Sequence, residues 1–182
     1  MAINLGTKNG VVSTTITVTT LSTTKKLVAF IGNHQGTVTR VTLNGVDLTK
    51  AVGAATAFNE TAEIWYIDNP GALSGVSLTA TFSGGDGRIV GYQNLEETKD
   101  GAPNVTASAT GNSNNATVNI TPDVNNSIIL GFAYSEGDLS QGAGETNIFD
   151  LQGASYQNGA ASYVIQTTAA QQAVNFALAS GQ

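Results

Sequence analysis

The chain of 182 residues has no cysteine, one histidine and three prolines. Without cysteine there is no disulfide staple, so packing and sheet hydrogen bonds must carry the stability. With His34 as the only imidazole and no thiol, there is little from which to build a metal centre or an activated nucleophile. Charge is scarce as well: Asp, Glu, Lys and Arg make up 11% of the residues, against roughly 25% in ordinary soluble domains. Lys and Arg together number 7, the formal net charge is -6 and the pI is near 4.5. No basic stripe exists to displace the counterions of a nucleic acid. The one adjacent basic pair, Lys25-Lys26, reads as a solvated strand entrance. No run approaches the roughly 20 apolar residues of a membrane span, and Met1 to Leu5 lacks the regions of a signal peptide. Neither a nucleic acid nor a membrane is therefore an expected partner, and the expected route is synthesis without secretion.

What is present is period-two patterning. Hydrophobic residues reach 41%, and Thr, Ser, Asn and Gln supply the polar positions between them. Val11 to Thr20 (VVSTTITVTT) reads as one half-buried strand, and Lys26 to Ile31 (KLVAFI) as a strand buried on both faces in mid-sheet. Thr37 to Leu43 alternates, Asn44-Gly45 accepts the positive φ of a type I′ turn, and Val46 to Val52 returns. Ala62 to Ile67 (AEIWYI) is stopped by Asp68-Asn69-Pro70-Gly71. Val76 to Phe82 turns through Ser83–Gly87 into Arg88 to Tyr92. Gln93 to Asn104, where Glu96, Glu97, Lys99 and Asp100 gather, is an expected exposed crossover.

Beyond it, Val105 to Thr110, Thr117 to Ile120 and Ser127 to Tyr134 read as strands, the last again buried centrally. Glu136 to Glu145 reads as a loose acidic loop, and Ala161 to Gln166 and Ala173 to Leu178 close the chain. Gln166 to Ala179 is rich in Ala and Gln, a composition that suits a helix. A weak internal repeat argues for strand instead, because Asn59–Gly84 lines up with Asn158–Gly181, each copy preceded by a buried strand. The expectation is an all-β, antiparallel β-sandwich: an N-terminal arm over residues 1–10, then a single domain over 11–182. The arm, with Ile3 and Leu5, could add to a neighbour's sheet edge.

The hairpin residues Val41, Thr42, Asn44, Gly45, Leu48 and Thr49, followed by Ala62, Glu63, Trp65, Tyr66, Asn69 and Pro70, carry a family resemblance. The series from Lys26 to Tyr92 resembles a recurring β-sandwich module of tailed-bacteriophage structural proteins and some bacterial surface proteins. That resemblance implies a jelly-roll-like sandwich and display on a virion or cell surface, with no catalytic residues to carry over. The implied protein is a virion structural protein, most specifically a capsid decoration or head-surface protein, assembled in the host cytoplasm as a homo-oligomer. Its partners would be major capsid or tail proteins. The alternative is a receptor- or glycan-binding module of a tail fibre or bacterial adhesin.

Individual candidates have ordinary readings beside their functional ones. Trp65 and Tyr66 point to opposite faces of a strand. One ring could be a stacking platform for a host-surface glycan, but Trp65 is expected as the central plug of the sandwich. Asp86, and Asp138 with Glu136 and Glu145, could offer oxygens to Ca²⁺, yet neither segment has the alternating ligand spacing of a calcium loop. They are expected as solvated carboxylates, with no cofactor and no metal. Glu63 and Asp68 lie about 16 Å apart along a strand and cannot act as a hydrolytic pair. His34, in Gly32-Asn33-His34-Gln35-Gly36, is expected as a solvent-exposed loop histidine, and would matter for catalysis only if it faced an acid and a hydroxyl in a pocket.

Overall fold

Alternation between apolar and small polar residues makes strands, and strands account for all the regular structure among the described residues of the computed structural model. It describes residues 3–56, 60–111, 114–153 and 157–178. The strands are β1 (Leu5–Val12), β2 (Thr15–Thr20), β3 (Lys26–His34), β4 (Thr37–Leu43), β5 (Val46–Asp47), β6 (Thr49–Ala55), β7 (Thr61–Asp68), β8 (Leu73–Ser83), β9 (Asp86–Leu95), β10 (Asn115–Ile120), β11 (Ser127–Ser135), β12 (Leu139–Gln141), β13 (Thr146–Gln152), β14 (Asn158–Gln166) and β15 (Gln172–Leu178). None of the described residues forms a helix long and apolar enough to cross a membrane. All paired strands are antiparallel.

The strands form four sheets, ordered β2-β8-β4-β5, β1-β9-β3-β7-β6, β11-β14-β13 and β10-β15-β12, stacked in that sequence. Three hydrophobic cores fill the gaps. Between the first two sheets lie Val18, Leu27, Ile31, Val41, Leu43, Leu78 and Val90. Val28, Phe30, Tyr66, Ile89, Ile148 and Phe149 lie between the two inner sheets. Ile129, Leu139, Val174 and Phe176 lie beneath the last sheet.

This layering explains the continuous apolar runs. An inner sheet is covered on both sides, so both sets of alternating side chains are buried. Leu27, Ala29 and Ile31 face the first outer sheet, while Val28 and Phe30 face the opposite inner sheet. In β11, Ile129 belongs to the outer core, and Ile128, Leu130 and Phe132 pack on the central one.

The internal repeat is a repeat of topology. In the first half β3, β7 and β6 are neighbours in an inner sheet, and β2, β8 and β4 in an outer one; in the second half β11, β14 and β13 correspond to the former, and β10, β15 and β12 to the latter. Both β7→β8 and β14→β15 pass from inner to outer sheet. Of the segment that could have been helical, Gln166 ends β14 and Gln172–Leu178 form β15, while Ala179 lies outside the described residues. Strands β1 and β9 extend the inner sheet of the first half, so the expected N-terminal arm contributes an edge strand lying on β9.

Several expectations change in detail. Val11 to Thr20 is two strands broken at Ser13-Thr14, each in a different sheet. Val46 to Val52 likewise divides between two sheets around the buried Leu48. Val105 to Thr110 forms no strand, because its Thr, Ala and Ser side chains bury too little area to hold it in a layer. The Asn44-Gly45 turn is as expected, with φ of 49° and 82°, the left-handed pair that a two-residue hairpin needs.

The central core depends on ring packing against bare backbone. Phe30, Phe132 and Phe149 form a triangle with centroid separations of 5.8 to 6.1 Å. Phe149 lies over Gly10 and Gly91; a Cβ on Gly10 would stand 2.6 Å from the ring's Cγ. Only glycine lets the two inner sheets come this close.

Candidate functional site

Four strand ends meet where the inner sheets stack, and they bring the sole histidine among carboxylates. His34 is the last residue of β3, and Asp86, the first of β9, lies directly opposite it in the ladder. Glu60 immediately precedes β7, whose Thr61 pairs with Asn33. Glu136 follows β11, which belongs to the other half of the chain. Glu60 is held by its own loop: its N–H donates to Thr56 Oγ1 at 3.2 Å, and the Thr56 N–H donates to the Glu60 carbonyl at 2.9 Å.

The His34 side chain is only 7% exposed, which overturns the expected exposed loop histidine: β3 runs on through Asn33 and His34, and β11 covers it. Nδ1 lies 2.7 Å from Asp86 Oδ1. An ionised carboxylate only accepts, so the proton of this bond sits on Nδ1, and Nε2 carries the lone pair in the neutral ring. Nε2 points towards Glu136, 3.7 Å from Oε1. Ligating atoms of His34, Glu60 and Glu136 all lie within 4.8 Å of one another.

Electrostatics at this corner favour protons or a cation. Burial, then repulsion from Glu136, raises the Glu60 carboxyl above its ordinary value, with Thr56 and His34 opposing. Glu60 Oε1 is buried without a hydrogen-bond partner. Beside it, Tyr134 packs over Gly32 and donates its phenolic proton to the Gly87 carbonyl at 2.6 Å. Burial and the carboxylates of Glu60, Asp86 and Glu136 push that phenol far above its ordinary value, so it stays a protonated donor. A cleft of about 320 Å³ is lined in part by Glu60, Thr61, Tyr134 and Ser135. His34 faces acids as a catalytic base would, but the adjoining hydroxyl is a poor nucleophile.

The other candidates fall elsewhere. Of the suggested oxygen donors, Asp86 and Glu136 join His34. Glu145 instead accepts from Ser162 Oγ at 2.5 Å and from the Asn175 N–H at 2.6 Å, and the exposed Asp138 raises the Asp150 carboxyl, second to burial. Glu63 and Asp68 stand apart in separate ion pairs. Glu63 accepts from Lys50 at 2.5 Å and from the Trp65 indole at 2.7 Å. Lys26 is not a solvated entrance residue: it is 6% exposed, paired with Asp68, and 4.4 Å over the Tyr66 ring. Tyr66 is the more deeply buried of the aromatic pair, and Trp65 packs partly covered on the first core.

Glu60 and Tyr134 had no signal in the sequence. They meet His34 only because the strand register sets β7 beside β3 and the sheet stacking sets β11 above it. No family model, curated protein or solved structure matches the chain.

Proposed function

We propose that this chain is a structural protein that works by lateral contact within a multi-subunit assembly, in its most specific form a virion protein on the capsid or head surface of a tailed phage. The observation that carries the reading is the chemistry of the two outward faces. On the first outer sheet, Thr15, Thr17, Thr19, Thr37, Thr81 and Ser83 are exposed, and hydroxyls meet across strands, Thr15 with Thr79 at 3.2 Å and Thr37 with Ser83 at 2.6 Å. On the other, Asn115, Thr117, Asn119 and Ser140 are exposed, and Thr117 donates to Asn175 at 2.8 Å. Charge enters these outer strands only as the Arg40–Asp47 pair, among the described residues. Faces of this kind lose little hydration when a neighbour covers them, and a repeating assembly sums many such weak contacts.

Support for the phage assignment comes from the sequence resemblance alone, and the residues that carry it shape turns and cores. The glycan-binding alternative calls for an exposed ring. The most exposed large hydrophobic side chains among the described residues are aliphatic: Val12, Leu21, Val46, Val124 and Ile165. Mass spectrometry and antibody labelling of purified particles test the proposal. It predicts many copies on the shell. A protein found only as a dispersed monomer sinks it, and saturable binding on a glycan array transfers the reading to the alternative.

A further inference from the structure

From the corner at His34 we propose a divalent transition-metal site, with His34 Nε2, Glu60 and Glu136 as the protein ligands and Asp86 as the residue that orients the histidine. This inference is independent of the assembly reading. One imidazole nitrogen with two carboxylates, open to further water ligands, suits Zn²⁺, Mn²⁺ or Co²⁺ better than the all-oxygen shell that Ca²⁺ and Mg²⁺ take.

Three observations point the same way. The Nδ1 bond to Asp86 at 2.7 Å is the outer-shell contact that fixes the ring of metal-bound histidines and leaves Nε2 to ligate. Glu60 Oε1 is buried and without a hydrogen-bond partner, and a second carboxylate, Glu136, shares the same corner. A cation answers both. The ligand atoms lie within 4.8 Å of one another; metal bonds of about 2.0–2.2 Å set neighbouring ligands roughly 3.4 Å apart. His34 Nε2 and Glu136 Oε1 already stand 3.7 Å apart, and the Glu136 side chain, 55% exposed, has room to turn as the three ligands draw together. Glu60 and His34 come from the first half of the chain and Glu136 from the second, so the ion would clasp the two inner sheets at their open end.

Having a single histidine makes the test direct. Tag-free protein is titrated with ZnCl2, and separately with MnCl2, CaCl2 and MgCl2, by calorimetry and by long-range ¹H–¹⁵N spectra of the one imidazole. One equivalent of Zn²⁺ is expected to bind, moving the Nε2 resonance while Nδ1 keeps its proton. At a hundred times Kd it should raise Tm by about 5–10 °C. Asp86→Asn should weaken binding about 10–100-fold. Glu136→Gln, a surface change that spares the fold, and His34→Gln should each abolish it. An unmoved Nε2 resonance, binding retained in Glu136→Gln, or Ca²⁺ bound as tightly as Zn²⁺ would each overturn the proposal.

Discussion

Replacing Gly91 by alanine tests the central feature of the stack, the close approach of the two inner sheets over bare backbone. The added methyl would stand 2.6 Å from Cζ and 2.9 Å from Cδ1 of Phe149, and nearer still to Cε1, where carbon atoms prefer about 3.5–4.0 Å. Phe149 is 7% exposed and is hemmed by Phe30 and Phe132 at centroid distances of 5.8 and 6.1 Å, so it cannot retreat. Overpacking of this kind costs about 1–3 kcal/mol, less the 0.4–1 kcal/mol or so that Gly→Ala gains by restricting the unfolded chain. A net loss of about 1–2 kcal/mol is expected.

The ring's removal supplies the control. Phe149→Ala alone should cost about 3–5 kcal/mol, but in that background Gly91→Ala has an empty space to fill and should cost nothing or stabilise slightly. The double-mutant cycle should therefore show a coupling of about 1–3 kcal/mol. Urea unfolding followed by Trp65 fluorescence, which reports the first half, and by far-UV circular dichroism, which reports every sheet, measures all four variants. If Gly91→Ala were as stable as the parent chain, or the two changes added to within about 0.5 kcal/mol, the packing argument would be refuted.

Other perturbations have equally definite outcomes. Asp68→Asn removes the counter-charge of the buried Lys26 ammonium, leaving it a neutral amide oxygen, the Gly101 carbonyl and the Tyr66 ring. Because Asp68 is 25% exposed, the loss should fall at or just below the low end of the range for broken buried pairs, about 3 kcal/mol, and Lys26→Met in the same chain should recover most of it. In metal-free protein Glu60 binds its proton more tightly folded than unfolded, so stability should decline as pH rises from its ordinary value of 4.5 through the raised folded value. Glu60→Gln should flatten that decline in pH-dependent thermal melts; an unchanged slope would contradict the burial of this carboxyl. Lysines placed at Thr17 and Thr81 should leave the unfolding free energy from urea melts within about 0.5 kcal/mol of the parent while abolishing self-association in sedimentation velocity. Association that survives would remove the outward face from the proposed interface.

Local chemistry made much of the fold legible. The alternation of Thr37 to Leu43 and the Asn44-Gly45 pair needed no distant partner to be read, since period two and positive φ are properties of neighbouring residues. The missed strand is instructive. In β13 the register slips between Asn147 and Phe149, so Ile148 and Phe149 are buried side by side. That bulge breaks the alternation by which strands are recognised, and it hides the ring on which the central core closes. The short β12 was likewise lost within a Gly-rich loop. Val105 to Thr110 is the opposite case, alternating in sequence yet paired in no sheet and exposed at every position but the half-buried Val105.

The site was far less legible, because its members share no spacing. Asp86 and Glu136 stood out as acidic loop residues, and His34 as the sole imidazole, but their meeting depends on the β3–β9 ladder and on β11 lying across it.

By its own pattern of side chains, then, the sequence determined that this chain makes strands, that Asn44-Gly45 closes a hairpin, which strands are apolar on both faces, and that a second set echoes the first. Tertiary structure alone decided that the sheets stack in four layers, that Lys26 and His34 are buried, and that carboxylates from both halves of the chain surround the imidazole. The division has a physical cause: backbone preference and hydrophobic period act over a few residues, whereas burial and electrostatic proximity depend on which surfaces come together once the chain has folded.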